Sequence, residues 1–564
     1  MACHQRTTTG LCEHCDFDGT DQIAVAAWAR YRLGPSRWQD VRTRIALSRR
    51  RAEVTDREQR QVPVFMTCPS CRQWSVAPVC EWCDFDTTDQ TSQAHLIEQE
   101  RFAERRWAIR RARLYATSRG LLRIDHAEQA RLVWHLVRFI VLGSIVGVLA
   151  GLSSAAFLES LRWATDLREQ DPWLLWLLPV AGFVVGLVYH HGAGRAAQGN
   201  NLIIDEIHEP RAWIPRRMAP LIYVATVVTH IFGGSAGREG TAIQMSGSLT
   251  DGLFGHIARI TGTDRRLLLV AAIAGGFGAV FGVPFAGCVF ALEVQAAGRI
   301  RHDAIVPSLS ASVVGDLVVR GLGVQHTPMP VIGSVDLTVS LVLKILVAGF
   351  AFGATALVFS ELTHGLKRAF QVGVRWPPLR PFVGGVLIVA LTYAVGTRDY
   401  LGLSLPLITK SLAGGAGVVA AAFAFKLLFT SLTLGSGFQG GEVTPLFVIG
   451  ATLGAAVGHG LGAPVPLFAA MGFVAVFAGA SNTPIACTIM GVELFGAGAL
   501  VPMAMACVAA YTLSANRGIY GAQRVDRPDD ERRDGDAITL QSLARQRPMW
   551  LPATQPGSVS DDIG

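Results

Sequence analysis

Charged side chains are scarce in this chain of 564 residues: Asp, Glu, Lys and Arg form only 16% of it, whereas hydrophobic residues form 50%. The scarcity is concentrated in residues 132–513, which are largely apolar, while residues 1–131 and 514–564 are polar. An apolar region of this length excludes a single soluble globule. We therefore predict an all-α, multi-pass membrane core between two soluble segments.

A secretory signal peptide is also missing, because residues 1–20 are polar and contain cysteine. Basic residues instead cluster in 101–138, around the start of the apolar region. Arginine in that position predicts a cytoplasmic N-terminus, and a nucleic-acid-binding patch is the alternative explanation of the cluster. We expect the plasma or inner membrane as the location, both termini in the cytoplasm and no nucleic-acid partner.

Cysteine is rare outside the first 83 residues, which contain seven of the ten cysteines in the chain. Cys68, Cys71, Cys80 and Cys83 form two closely spaced pairs, and each pair can direct two thiolates at one tetrahedral ion. The alternative is disulfides, which a cytosolic location disfavours. The spacing is typical of a zinc ribbon and predicts a structural Zn²⁺ site.

The earlier cysteines repeat this pattern 68 positions upstream, but the counterpart of Cys68 would fall before Met1. The first module is therefore expected to be incomplete: either His4 or His14 supplies the fourth ligand, or the true start of the protein lies upstream of Met1. Binding a partner and bracing the cytoplasmic face are both open as roles for these modules. The predicted zinc ligands are Cys3, Cys12, Cys15, Cys68, Cys71, Cys80 and Cys83.

Two glycine-rich breaks interrupt the apolar region, and each contains an acid followed by a threonine. They read Gly233-Gly-Ser-Ala-Gly-Arg-Glu239-Gly-Thr241 and Gly435-Ser-Gly-Phe-Gln-Gly-Gly-Glu442-Val-Thr444-Pro445. A carboxylate at membrane depth is costly and usually marks an ion or proton pathway. Glycines let the backbone unwind there, so that free N–H groups at a helix start can face an anion. For Glu239 alone, the alternative is a surface turn with the carboxylate in water.

Both breaks belong to an internal duplication. Glu239 and Glu442 lie 203 positions apart, and residues 284–293 match residues 484–493 at an offset of 200. Paired, glycine-interrupted apolar segments in corresponding halves are the sequence signal of a transporter's binding site. The duplication therefore indicates that the two breaks form one site.

Several of the apolar segments are shorter than the roughly 20 residues that a straight membrane span requires, although the first covers 132–157. They predict short, tilted and broken helices around a buried site, and we expect Glu293 and Glu493 to stabilise helix ends or connections there. The predicted domains are an incomplete zinc-ribbon-like module with a helix (1–50), a zinc-ribbon-like module with a basic helical linker (51–131), a transmembrane domain (132–525, with halves of about 132–330 and 331–525) and a disordered cytoplasmic tail (526–564).

Four motifs, in this order, resemble the signatures of the CLC anion transporters: Gly237-Arg238-Glu239-Gly240, Gly282-Val-Pro-Phe-Ala-Gly287, Gly440-Gly-Glu-Val-Thr-Pro445 and Tyr520. The resemblance covers about residues 132–525 and implies an inverted-repeat, homodimeric membrane protein whose subunits each have an anion pathway. It also implies that Glu239 is the gate. Deprotonated, this acid occupies an anion site; protonated, it swings aside, and it thereby couples protons to anions.

Departures from the chloride-transporting members point to one branch of that family. Asn200 stands where those members have the serine that coordinates chloride, Val294 stands at their internal proton acid, and Glu442 replaces an apolar residue. This combination is similar to the fluoride-selective branch, which exchanges fluoride for protons. The site that the resemblance implies consists of Glu239 as gate, Glu442 as second proton-linked acid, and the anion-binding residues Asn200, Gly237, Arg238, Gly240, Val443, Thr444 and Tyr520.

Fluoride is small and holds its water tightly, so a pathway must replace that shell with compact donors such as the Asn200 amide, the Thr444 hydroxyl and the Tyr520 phenol. A bare anion and two carboxylates repel one another, so protonation is expected to accompany fluoride occupancy. Asn200 and Thr444 also have structural explanations, as a helix cap and as a hydroxyl bonded to its own helix. Tyr520 and Glu442 have structural explanations too, Tyr520 as an interfacial aromatic residue and Glu442 as a structural acid whose hydrogen bonds are satisfied.

The leading hypothesis is a fluoride/proton antiporter that exports fluoride. The alternative on the same fold is a chloride/proton antiporter or a passive chloride channel. The alternative from another class is a zinc-dependent scaffold that the membrane part only anchors. An enzyme is not expected, because the clustered cysteines indicate closed structural sites. Residues 526–564 are too few for paired regulatory domains after the membrane core.

Overall fold

A computed structural model describes residues 11–12, 17–18, 126–255, 261–514, 517–525 and 538–539. The chain divides into two units, Met1–Asp125 and His126–Gly564. In the first unit, strand β1 (Leu11–Cys12) pairs antiparallel with β2 (Phe17–Asp18). The helical linkers predicted within 1–125 and most of the predicted tail lie outside the described residues. So do all the predicted zinc ligands except Cys12, namely Cys3, Cys15, Cys68, Cys71, Cys80 and Cys83.

The second unit is helical, which confirms the predicted fold class. The described part of residues 126–514 contains sixteen α-helices, eight in each half. The first eight are α1 (His126–Gln170), α2 (Leu178–Gly192), α3 (Asn200–His208), α4 (Met218–Ile231), α5 (Glu239–Phe254), α6 (Gly262–Phe281), α7 (Pro284–Glu293) and α8 (Ile305–Gly321). The second eight are α9 (Val339–Gly373), α10 (Leu379–Val395), α11 (Leu405–Leu412), α12 (Ala422–Ser436), α13 (Val443–Gly460), α14 (Val465–Ser481), α15 (Pro484–Phe495) and α16 (Leu500–Ser514).

Short connections complete the second unit. After α16, strand β3 (Arg524–Val525) pairs antiparallel with β4 (Ile538–Thr539). Short 3₁₀ helices of three to six residues lie between some of the α-helices, at Pro172–Leu177, Gly194–Gln198, His302–Ala304 and Ala497–Ala499.

Six helical stretches of the described residues are long and apolar enough to cross a membrane. Large apolar side chains on them face outward, as Val339 does with 79% of its surface exposed, which suits a lipid environment. The remaining apolar helices have only 10–17 residues, as expected for broken helices. The six stretches are Gln129–Gln170, Pro172–Gly192, His302–Gly321, Val339–Gly373, Val443–Gly460 and Ala497–Ser514.

The first helix is longer than the apolar segment predicted at 132–157. That segment ends just before the charged residues Glu159 and Arg162, which the helix accommodates by pairing them one turn apart (2.9 Å). The helix continues to Gln170, and Pro172 follows shortly after its end. The apolar pattern of the sequence therefore predicted the position of the first membrane span but not the residue at which the helix ends.

The residues between α6 and α7, and those between α14 and α15, explain why one helix ends and the next begins there. Gly282 ends α6 and Asn482 ends α14, both in the left-handed conformation (φ 73° and 57°) that Gly and Asn tolerate. Pro284 and Pro484 then begin α7 and α15, where the N–H group that proline lacks has no partner within the helix. The same stop and start in both halves agrees with the duplication.

The two halves also pack alike. Helix α1 lies against α6 and α8 as α9 lies against α14 and α16, and α5 lies against α6 as α13 lies against α14. The halves meet at several places, and at one of them α7 packs against α15. There Glu493 accepts hydrogen bonds of 2.9 and 2.7 Å from N–H groups at the start of α7, and Glu293 accepts 3.2 and 2.8 Å bonds at the start of α15. Each acid thus stabilises a helix start in the other half, as expected from the sequence.

Close packing of α13 against α14 depends on glycine. Nearly all residues of α14 are buried, so this helix is apolar on every side. Gly450 of α13 faces Gly472 of α14, and a Cβ atom on either one would collide with the carbonyl oxygen of the other. Glycine at both positions therefore lets the two backbones approach each other.

We expect Gly450→Ala to destabilise the membrane domain, because the added methyl group must push α13 away from α14. Overpacking of this kind costs about 1–3 kcal/mol, which should lower the thermal unfolding midpoint of the detergent-solubilised protein. Gly460→Ala on the same helix is the control, since a Cβ there meets no atom within 4 Å. Equal midpoints for the two variants would contradict this account of the contact.

Candidate functional site

The two glycine-rich breaks lie side by side and bond to each other. The Gly237 N–H donates to the Gly441 carbonyl oxygen (2.6 Å), and the Gly441 N–H donates to the Gly237 carbonyl oxygen (2.9 Å). A Cβ on Gly237 would lie 2.8 Å from the Pro445 ring and 3.0 Å from the Gly441 oxygen, so the approach needs glycine. Helix α5 begins two residues after Gly237 and α13 begins two residues after Gly441. The pairing therefore brings two helix starts together.

The Glu239 carboxylate lies at the start of the opposite half's helix. It is fully buried, and it accepts hydrogen bonds from the Thr444 N–H (3.0 Å) and the Thr444 hydroxyl (2.5 and 2.6 Å to its two oxygens). Arg238 adds its backbone N–H (3.2 Å) and its Nε (3.4 Å). The carboxylate thus occupies a helix start where free N–H groups and the helix dipole favour an anion.

Glu442 and Asn200 border the same spot from two other sides. A Cβ placed on Gly240 would lie 2.9 Å from the Asn200 Nδ2 and 3.8 Å from a Glu442 carboxylate oxygen. Glu442 is the residue immediately before α13. A side chain at position 240 would fill this space, so Gly240 keeps it open between the amide and the second acid.

Buried polar atoms without partners converge here. Within the described part of the chain, neither Asn200 Oδ1 nor the Tyr520 hydroxyl has a hydrogen-bond partner, although both atoms are buried. Asn200 is the first residue of α3, and no side-chain cap bond is present at that helix start. Orphaned buried polar groups are rare in folded proteins and call for an explanation such as an absent ligand.

Tyr520 reaches the site because the chain turns back after α16. The Ile519 N–H donates to the Ala480 carbonyl oxygen (2.9 Å), and the Ala522 N–H donates to the Asn201 side chain (3.0 Å). Tyr520 is only 4% exposed and lies within electrostatic range of both Glu239 and Glu442. This burial contradicts the interfacial-belt explanation of Tyr520, just as the bond to Glu239 contradicts a Thr444 hydroxyl bonded only to its own helix.

Two cavities meet at Arg238. The larger, about 580 Å³, is an open vestibule near the end of α1, and the smaller, about 20 Å³, reaches Thr444. Arg238, Thr327 and Leu405 line both. The smaller cavity is large enough for one water-sized species. Basic side chains outnumber acidic ones around the vestibule: Arg162, Arg168, Arg238, Arg398 and Lys410 against Asp166, Glu169 and Asp399.

Some contributors to the site carried no sequence signal. Arg265 of α6 binds Asp251 of α5 (2.7 and 2.8 Å) and Glu206 of α3 (3.2 Å), all three buried, and so anchors the helix that begins at Asn200. Phe447 and Phe473 stack at 4.1 Å beside the smaller cavity. Single charges and phenylalanines in apolar segments have no spacing that marks them, so only the fold identifies their role.

The predicted site residues all lie around the paired breaks. Gly237, Arg238, Glu239 and Gly240 come from one break, Glu442, Val443 and Thr444 from the other, and Asn200 and Tyr520 from α3 and the turn after α16. His230, which flanks the first break, is also buried, with ring nitrogens against the carbonyl oxygens of Thr226 (2.8 Å) and Ala236 (3.1 Å). The arrangement can bind a dehydrated anion and exchange it with a carboxylate.

Comparison with protein families matches residues 181–515 to the family described as "Voltage gated chloride channel". A "Chloride/fluoride channel protein" of Pseudomonas syringae pv. tomato is 45% identical over 422 residues, which are 74% of this chain and 93% of that protein. An H(+)/Cl(−) exchange transporter of Cronobacter sakazakii is 26% identical over 408 residues, 66% of this chain and 86% of that protein.

Solved structures of CLC antiporters also match this chain. The crystal structure of a CLC-type fluoride/proton antiporter matches with a TM-score of 0.67 at 33% identity, covering 70% of this chain and 99% of that one. A slow cyanobacterial Cl⁻/H⁺ antiporter matches with a TM-score of 0.54 at 19% identity, covering 68% of this chain and 96% of that one. The second match is a likeness in fold alone.

Proposed function

This chain belongs to the voltage-gated chloride channel family, CLC, and is therefore a multi-pass membrane transporter rather than an enzyme; we propose that it exchanges fluoride for protons and exports fluoride. The observation that carries the proposal is the Glu239 carboxylate bound by the Thr444 hydroxyl and N–H at the start of α13. A relative named for chloride and fluoride and a similar fluoride/proton antiporter support fluoride as the anion.

Selectivity for fluoride rests on compact donors. The Thr444 hydroxyl and N–H, the unpartnered Tyr520 hydroxyl and the Asn200 amide are small donors that can replace a tightly held hydration shell. The cavity of about 20 Å³ beside Thr444 accepts one water-sized species. Fluoride is close to water in size, whereas chloride is larger, so the space favours the smaller halide.

Coupling to protons follows from the position of Glu239. As a carboxylate it takes the Thr444 donors itself, so an anion cannot use them. Protonation removes its charge, weakens those bonds and frees the donors for fluoride. Glu442, which borders Gly240 beside it, serves as the second acid that passes a proton onward. External acid then drives protons inward while fluoride leaves against its gradient.

The orientation, the assembly and the zinc sites are part of the same proposal. A cytoplasmic N-terminus puts the vestibule, near the end of α1, on the external face. We place a homodimer contact at the starts of α7 and α15, where the equivalent residues Phe285 and Ile485 are 59% and 47% exposed. The cysteine-rich N-terminal modules are assigned structural zinc that transport itself does not need.

Purified protein in liposomes should release fluoride much faster than chloride, with protons moving in the opposite direction. Ion-selective electrodes for each halide and a pH electrode measure the three fluxes on one preparation. Equal rates for the two halides would favour a chloride/proton antiporter, and chloride flux without proton movement would favour a passive channel.

Glu239→Gln should abolish proton-coupled exchange, because the amide keeps the size of the side chain but cannot take up a proton. Proton uptake during fluoride efflux should fall to the level of empty liposomes. Asp303→Asn is the control, since Asp303 is exposed and pairs only with Arg301 among the contacts described. Normal coupling in Glu239→Gln would refute the gate assignment.

Thr444→Val should weaken fluoride binding, because it removes a hydroxyl donor and keeps the side chain's shape. Losing a hydrogen bond to a charged group costs about 1.5–3 kcal/mol, so the Kd from calorimetry should rise by about tenfold or more. Thr452→Val on the same helix is the matched control, since that buried hydroxyl bonds only to its own helix. A similar Kd for both variants would refute the role of Thr444.

A further inference from the structure

Lys426 of α12 is a fully buried lysine in a chain that has only four lysines. Four acceptors lie within hydrogen-bond distance of its Nζ and share its three N–H groups: the Gly402 carbonyl (2.7 Å), the Ser404 hydroxyl (2.9 Å), the Ser235 hydroxyl (2.9 Å) and the Tyr400 carbonyl (3.2 Å). All four acceptors are uncharged. No carboxylate of the described residues pairs with it, and a buried cation of this kind is expensive, so its presence calls for a reason.

The acceptors belong to two segments of the pathway. Ser235 lies in the first break, four residues before Glu239. Its hydroxyl lies 2.9 Å from the Thr430 hydroxyl, and its N–H donates to the Thr433 hydroxyl (3.2 Å). Gly402 and Ser404 lie in the segment between α10 and α11, part of which lines the vestibule. One ammonium thus joins the break that carries the gate to the wall of the vestibule.

Arg168 of α1 is the charged side chain that acts on Lys426, and His230 of α4 is a further buried neighbour. The Arg168 Nη2 lies 3.8 Å from the Glu169 carboxylate, while its Nη1 has no hydrogen-bond partner within the described residues and packs against Gly402. Positive charge beside the first break is therefore only partly compensated, and an anion in the pathway compensates it better than a neutral species does.

We propose that Lys426 is a positioning residue for Glu239. Through Ser235, its ammonium fixes the first break in the geometry from which the Glu239 carboxylate reaches Thr444. Its positive charge favours an anion at that site, either the returning carboxylate or fluoride. The inference rests on the proposed fluoride/proton exchange and deepens it. Without the ammonium, the first break is no longer tied to the segment that lines the vestibule. Fluoride then passes although the Glu239 carboxylate has not returned to Thr444.

Lys426→Met should raise the KM for fluoride by about tenfold and make the fluoride-to-proton ratio depart from the wild-type value. The ratio is obtained from the reversal potential of exchange in liposomes, which does not depend on how many molecules are folded. Lys426→Arg should restore most of the ratio, since it keeps a cation with several donors. Ser235→Ala, which removes one acceptor in the break, should shift the ratio in the same direction by a smaller amount.

Ser411→Ala is the matched control, because this hydroxyl is equally buried but bonds to its own helix α11. Lys344→Met removes a lysine that lies outside the vestibule lining and donates to the Gly462 carbonyl oxygen (3.3 Å), and it should leave the ratio unchanged. A wild-type KM and ratio in Lys426→Met would overturn the inference; if that variant does not fold, an unchanged ratio in Ser235→Ala overturns it instead. Wild-type protein that moves no fluoride with protons would refute the proposed function itself, which is a separate outcome.

Discussion

The Glu239 carboxylate bonds to the first turn of α13, and this contact holds the site together. It joins an acid of one half to the hydroxyl and amide donors of the other, so the site exists only where the halves meet. A carboxylate at this depth is stable because Thr444 and Arg238 donate to it. Donors that stabilise a carboxylate also suit a small anion, and the proposed exchange between the two rests on this equivalence.

Duplication explains why one site draws on distant parts of the chain. The paired glycines bond to each other in both directions, and Glu293 and Glu493 each cap a helix of the opposite half. Either half alone would leave these helix starts and acids without partners, which is costly inside a membrane. The two halves must therefore fold against each other, and the symmetry of their contact places two helix starts at one point.

Around this contact the protein leaves some donors unused and some positive charge uncompensated. The Tyr520 hydroxyl has no partner among the described residues, Lys426 contacts only neutral acceptors, and basic side chains outnumber acidic ones in the vestibule. A stable core normally satisfies such groups. In the proposed exchange, an anion is the partner that these groups share, so the same residues would serve both binding and passage.

The membrane core, the duplication, the two breaks with their acids and the family resemblance can be read from the amino-acid sequence alone, because they depend on local composition and on spacing along the chain. The bond of Glu239 to Thr444 across 205 positions and the return of Tyr520 toward both acids come from the three-dimensional fold. So do the contact of Arg265 with α3 and the bond of Lys426 to the first break. These contacts join residues far apart in sequence, and no periodicity of hydrophobic or charged residues encodes the distance between them.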